Sequence, residues 1–176
     1  CDSGSMSPVN PTLCYNGGTN VVNWNNTSTS SSNSTWDNNT SNGLSFGGAS
    51  TLTNTQFYTS PGIYSVALRN VSGTGCVDTV TSTLTLCQLN VNFGPPNACL
   101  PDSVQFINYS FDTLCGITRW SWEFGDNSPP DTINWNPIHL YGQGTYQVRL
   151  IVYNSNGCNN QITKTLNVGG SVVLNY

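Results

Sequence analysis

The chain has 176 residues, of which only 7% are charged, and its formal net charge is −4. Four basic residues do not supply the phosphate contacts of a nucleic-acid binder. No apolar run approaches the roughly 18 residues of a membrane-spanning helix, and strong helix formers are too few for an α fold. The length suits one large or two small domains. The chain opens at Cys1 without a leader, as a mature or excised form would. Its seven cysteines point to an oxidising compartment. There is no C-x-x-C spacing and His139 is the only histidine, so no zinc site can be read.

Residues 1–13 are rich in Ser and Pro and predict a first edge strand, because Pro8 and Pro11 lack the N–H that a central strand must donate. Val21, Val22 and Trp24 follow as a short strand. Residues 25–42 are Ser, Thr or Asn at 16 of 18 positions, with Trp36 and Asp37 the exceptions. Such a tract reads as a long polar loop around one strand anchored by Trp36. Leu44, Phe46, Leu52 and Phe57 are expected to add core.

From Asn54 onward the chain repeats itself at an offset of 82 residues. Asn54 maps to Asn136, Gly62 to Gly144, Tyr64 to Tyr146, Val66 to Val148, Leu68 to Leu150, Gly75 to Gly157, Cys76 to Cys158 and Leu84 to Leu166. An ungapped repeat of this kind predicts two tandem modules, 1–87 and 88–168, with 169–176 a linker or the start of a further strand. A connection of one or two residues predicts a stiff pair.

In the second copy Trp120, Trp122 and Phe124 alternate as a strand with one buried face. Gly125, Asp126, Asn127 and Ser128, then two prolines, end it. Tyr146, Val148, Leu150 and Val152 alternate again, residues 154–157 make a turn, and Ile162, Leu166 and Val168 form a last strand. This is the closing part of an antiparallel sandwich. Tyr64 and Tyr146 each follow a Gly by two positions and predict a tyrosine corner, in which the phenol bonds an upstream backbone group.

The spaced pattern W-x-F-G-D, N-P-x-H-x-Y, G-x-Y-x-V-x-L-x-V, N-G-C resembles the PKD domain, an immunoglobulin-like β-sandwich. It is carried by Trp122, Phe124, Gly125, Asp126, Asn136, Pro137, His139, Tyr141, Gly144, Tyr146, Val148, Leu150 and Val152, and it covers roughly residues 88–168. The resemblance implies an all-β chain of two tandem immunoglobulin-like (PKD-type) antiparallel β-sandwiches. The first is a divergent copy, with S-F-G-G at 45–48 its nearest echo of W-x-F-G-D. With C-x-P-x-S-V-x-F at 99–106, the second is similar to PKD modules in large surface and secreted proteins of Bacteroidota. That implies a non-catalytic extracellular segment of an adhesin, stalk or filament. Its partners would be neighbouring modules, other copies or surface glycans.

The candidate sites follow. His139 lies in N-P-x-H-x-Y, where the family uses it structurally, and no nucleophile, base and orienter can be assembled around it. Asp126 is expected to accept backbone N–H bonds in its turn. Asp126, Asn127 and Ser128 could offer oxygens to calcium, which wants six or more; no other cofactor is implied. Trp36 and Trp135 stand in polar surroundings and are candidates for stacking on sugar rings, whereas Trp24, Trp120 and Trp122 read as core. That leaves a carbohydrate-binding accessory module of a secreted hydrolase as one alternative function, and a self-assembling filament subunit joined through residues 171–176 as another. The Bacteroidota resemblance also implies O-glycan acceptors at Asp-Ser/Thr followed by an apolar residue, here Thr79, Ser103, Thr113 and Thr132.

For the cysteines, strand direction in such a sandwich places Cys115 with Cys158, Cys76 with Cys1 and Cys14 with Cys87, leaving Cys99 odd. The repeat instead suggests Cys14–Cys76 and Cys99–Cys158. Those would join opposite ends of a module, beyond the reach of about 7 Å between Cα atoms that a disulfide allows. Cys1 as a lipidated N-terminus is a further reading.

Overall fold

The computed structural model describes residues 4–28, 33–37, 53–94, 97–99 (backbone alone) and 103–169. The chain divides into two compact units, 1–88 and 89–176. Leu44, Phe46, Leu52, Cys1, the Cys99 side chain and the segment 170–176 lie outside the described residues.

In the first unit the strands are β1 (Met6–Ser7), β2 (Thr12–Cys14), β3 (Asn20–Asn26), β4 (Asn33–Asp37), β5 (Thr53–Tyr58), β6 (Gly62–Val71) and β7 (Val77–Cys87). They form a sheet β1-β3-β5 and a sheet β2-β7-β6-β4. Pro8 and Pro11 flank the edge strands β1 and β2, where no ladder bond is lost. Met6, Val22, Trp24 and Tyr58 from one sheet meet Trp36, Val66, Leu68, Leu84 and Leu86 from the other. The Trp24 indole donates to the Tyr58 hydroxyl at 3.2 Å inside this core.

Two expectations for this unit are corrected. Trp36 is only 6% exposed. It lies on the inward face of β4 with Ser34, so the polar tract contains a genuine core strand and its indole is not a sugar platform. Phe57, expected in the core, is 67% exposed. Strand alternation gives the inward place to Tyr58 and sets Phe57 outward, opposite Val21.

The second unit contains β8 (Leu89–Asn90), β9 (Phe93–Gly94), β10 (Asn97–Cys99), β11 (Ser103–Gln105), β12 (Ile107–Asn108), β13 (Phe111–Asp112), β14 (Ile117–Glu123), β15 (Ile138–Leu140), β16 (Gly144–Asn154) and β17 (Asn159–Gly169). Strands β10-β17-β16-β14 make a four-stranded sheet. The pairs β8–β13, β9–β12 and β11–β15 supply side chains to the same core. That core joins Leu89, Phe93, Val104 and Phe106 to Trp122, Val148, Leu150, Val152 and Leu166. Trp122 is fully buried, with its ring centroid 5.1 Å from Phe93 and 5.4 Å from Phe106. Trp120, read from the sequence as core, is only partly buried and packs at the margin of this cluster.

The hairpins β6–β7 and β16–β17 carry the repeat. Gly62 stands opposite Leu86 and Gly144 opposite Val168. Each hairpin has a short strand running parallel to its final strand, Cys14 beside Cys87 in one unit and Cys99 beside Gly169 in the other. Both tyrosine corners form: the Tyr64 hydroxyl donates to the Ser60 carbonyl at 2.8 Å, and Tyr146 to the Gly142 carbonyl at 3.2 Å.

Cys14, Cys76, Cys87, Cys115 and Cys158 are all disulfide-bonded.

Candidate functional site

The motif residues of the second unit come together at the end of β14. Gly125 turns the chain with φ of +79°, a conformation open to glycine, and a Cβ there would stand 2.5 Å from the Gln147 carbonyl oxygen. Asp126 then faces back. Its Oδ1 accepts from the Ser128 N–H at 3.1 Å and from the Ser128 hydroxyl. Its Oδ2 lies 2.8 Å from His139 Nε2. The imidazole stacks on Phe124 with centroids 3.9 Å apart and rings within 9° of parallel. The Tyr141 hydroxyl donates to the Phe124 carbonyl at 3.0 Å. Asn136 Oδ1 accepts from the Asn108 N–H at 2.8 Å, and the Pro137 carbonyl accepts from the Phe106 N–H at 2.9 Å.

The electrostatics follow from these bonds. Burial works against the Asp126 carboxylate. The hydrogen bond from His139, the two from Ser128 and the imidazole's charge outweigh it and hold the pKa down from 3.8 to about 2. Burial first, then the Asp126 charge, pushes the Tyr141 phenol up. Asp126, His139 and Tyr141 thus join β14, β15 and the following turn, while Asn136 and Pro137 fasten the segment 106–108. Asp126 has both oxygens engaged by protein donors, which leaves the Asp126–Asn127–Ser128 turn a poor fit for calcium. A shallow hollow of about 290 Å³ opens beside it, lined by Glu123, Asn127, Ser128 and Gln147 among others.

A second constellation lies along β14, the edge strand of the sheet. Asp131 bridges Trp122 backbone to backbone, at 2.9 and 3.0 Å, and so fastens the loop after β14 to that strand. Asp131 also caps its own turn, accepting from the Ile133 and Asn134 N–H groups. Those bonds lower its carboxyl pKa against the opposing effect of burial. The loop brings Trp135 edge-on to Trp120, with centroids 4.9 Å apart at 88°, and the Trp120 indole donates to the Asn134 carbonyl at 3.0 Å. Arg119 stands opposite Tyr153 across the β14–β16 ladder, its guanidinium 4.6 Å above the phenol ring. Thr118, Arg119, Trp120, Ser121, Thr132 and Tyr153 line a groove of about 430 Å³.

Of the expected stacking residues, then, Trp135 lies beside this groove's Trp120 and Trp36 lies in the core of the other unit. Arg119 and Tyr153 were not singled out from the sequence. The signal was their outward parity in two adjacent strands, but pairing them requires a register that shifts between Ile117 and Arg119. Thr79, Ser103, Thr113 and Thr132 are each exposed, and the aspartates beside Thr79, Thr113 and Thr132 accept N–H bonds from nearby backbone.

The second unit is an all-β, immunoglobulin-like fold whose motif side chains fasten its strands and turns together. Residues 90–169 match the family model of the PKD domain. No curated protein matches the chain. Among solved structures the chain is similar to the fibronectin(III)-like modules of Clostridium thermocellum CbhA, at 14% identity, 98% of this chain, 97% of that chain and a TM-score of 0.44. It is similar to the PKD1 domain of Vibrio anguillarum Epp, at 27% identity, 48% of this chain, 95% of that chain and a TM-score of 0.39. It is also similar to the PKD1 domain of the Vibrio cholerae metalloprotease PrtV, at 25% identity, 47% of this chain, 94% of that chain and a TM-score of 0.35. No helix among the described residues is long and apolar enough to cross a membrane.

Proposed function

We propose that the chain is a load-bearing, non-catalytic segment of an extracellular surface protein, an adhesin, stalk or filament, made of two tandem immunoglobulin-like modules of PKD type at 1–87 and 88–168. The observation that carries the reading is the engagement of all five described cysteines in disulfides within a chain of very low charge. Disulfides persist outside the reducing cytoplasm. A surface of Ser, Thr and Asn remains soluble there without inviting ionic partners. The motif side chains support the same reading, because His139, Tyr141 and Asn136 tie strands together rather than pointing to a substrate. Neighbouring modules or other copies are the natural partners. The exposed Thr79, Ser103, Thr113 and Thr132 are the positions at which a Bacteroidota-type host would attach O-glycans.

An antibody against the 176-residue chain tests the location directly. It should label intact, unpermeabilised cells of the producing organism or their secreted material. Labelling that appears only after permeabilisation would overturn the extracellular assignment.

A further inference from the structure

We propose that the groove along β14 and β16 in the second unit binds an acidic saccharide, of the uronic-acid class, with Arg119 as the carboxylate receptor. This goes beyond the load-bearing role, which stands or falls separately. The groove's volume of about 430 Å³ lies within the range of small-ligand sites. Its lining combines the Tyr153 ring and one guanidinium with the hydroxyl-bearing Thr118, Ser121 and Thr132, and the strand at Trp120 closes one side. That is the composition a sugar requires: ring surface for its C–H faces and hydroxyls for its own hydroxyls.

The charge of the ligand follows from the state of the cations. Arg149 is held bidentately by Glu123, at 2.9 and 2.7 Å. The Lys164 ammonium is held by Asn92 Oδ1 and the Phe93 carbonyl. Arg119 has no carboxylate or carbonyl acceptor among the described residues. Tyr153 supports its guanidinium from below by a cation–π contact and leaves the N–H fork for an incoming group. A planar carboxylate is the partner that this fork fits best. The nearest loop carboxylate, Asp131, is turned to its own backbone N–H groups and to the Asn134 amide.

The site is built before any ligand arrives. Trp135 and the Asn134 carbonyl pin the Trp120 ring in place, and the Asp131–Trp122 bridge holds the loop. Nor does the fold require these side chains. The equivalent cross-strand pair in the first unit is Asn33 opposite Val71, which supports the same sheet with neither a cation nor a ring.

The test titrates trigalacturonate into the full chain, made in a host that adds no glycan so that Thr132 is free. Tryptophan fluorescence and calorimetry follow the binding, with maltotriose as the neutral arm. Saturable binding of trigalacturonate is expected, weakened by salt as an ion pair near the surface is. Arg119→Ala should weaken it by about tenfold or more, the value of a lost charge-assisted hydrogen bond, with an unchanged melting temperature because Arg119 is exposed. Arg119→Lys should recover only part. Lack of saturable binding, equal affinity in Arg119→Ala, or maltotriose binding as tightly would each overturn the proposal.

Discussion

Asp126 concentrates the residue-scale chemistry of the second unit, because one carboxylate fastens its own turn through Ser128 and reaches His139 on β15. Its folded pKa of about 2 lies below its ordinary 3.8. Between those values the unfolded chain binds more protons than the folded one, so acid favours unfolding. The contribution is complete above pH 3.8 and is lost as the pH falls through about 2. Denaturant midpoints of the wild type and Asp126→Asn should therefore differ most near neutrality and converge as the pH approaches 2. A constant difference across that window would mean that the carboxylate's charge does not matter. Asp112 and Asp131 are lowered as well, and comparison with Asp126→Asn removes their part.

At the scale of elements, the two tryptophans with one expected role part company: Trp36 on β4 lies in a core and Trp135 in the loop after β14 packs on Trp120. Trp36→Ala should cost about 3–5 kcal/mol, as removal of a buried aromatic does, whereas Trp135→Ala, losing mainly one edge-on ring contact, should cost roughly 1–2 kcal/mol. Equal costs in chemical denaturation would contradict the placement of Trp36 in the core. The hairpins were legible in the sequence because period-two alternation in Tyr146, Val148, Leu150 and Val152 needs no tertiary information. The motif turn was half legible: Asp126 on its local N–H groups follows from turn chemistry, but its bond to His139 depends on where β15 lies. The strand anchored by Trp36 was legible, but the polar tract around it also made Trp36 a stacking candidate, and only the inward alternation of Ser34 and Trp36 settles that its indole is buried. The groove was not legible, since Arg119 and Tyr153 meet only through a ladder with a shifted register. Disulfide partners are likewise set by tertiary packing, which strand direction alone does not fix.

At the scale of the whole molecule, low charge, seven cysteines and a repeated hairpin are the features on which the proposed load-bearing role rests. Its cross-links, more than its individual hydrogen bonds, would limit how far it can be drawn out, since each disulfide excludes the residues it encloses from extension. The most direct measurement is single-molecule stretching from the two termini, with and without reductant. Fully unfolded, 176 residues reach about 600 Å at roughly 3.3–3.6 Å per residue. The load-bearing account predicts that extension in reductant approaches that length and that, without reductant, it stops well short of it. Full extension in both conditions would contradict it.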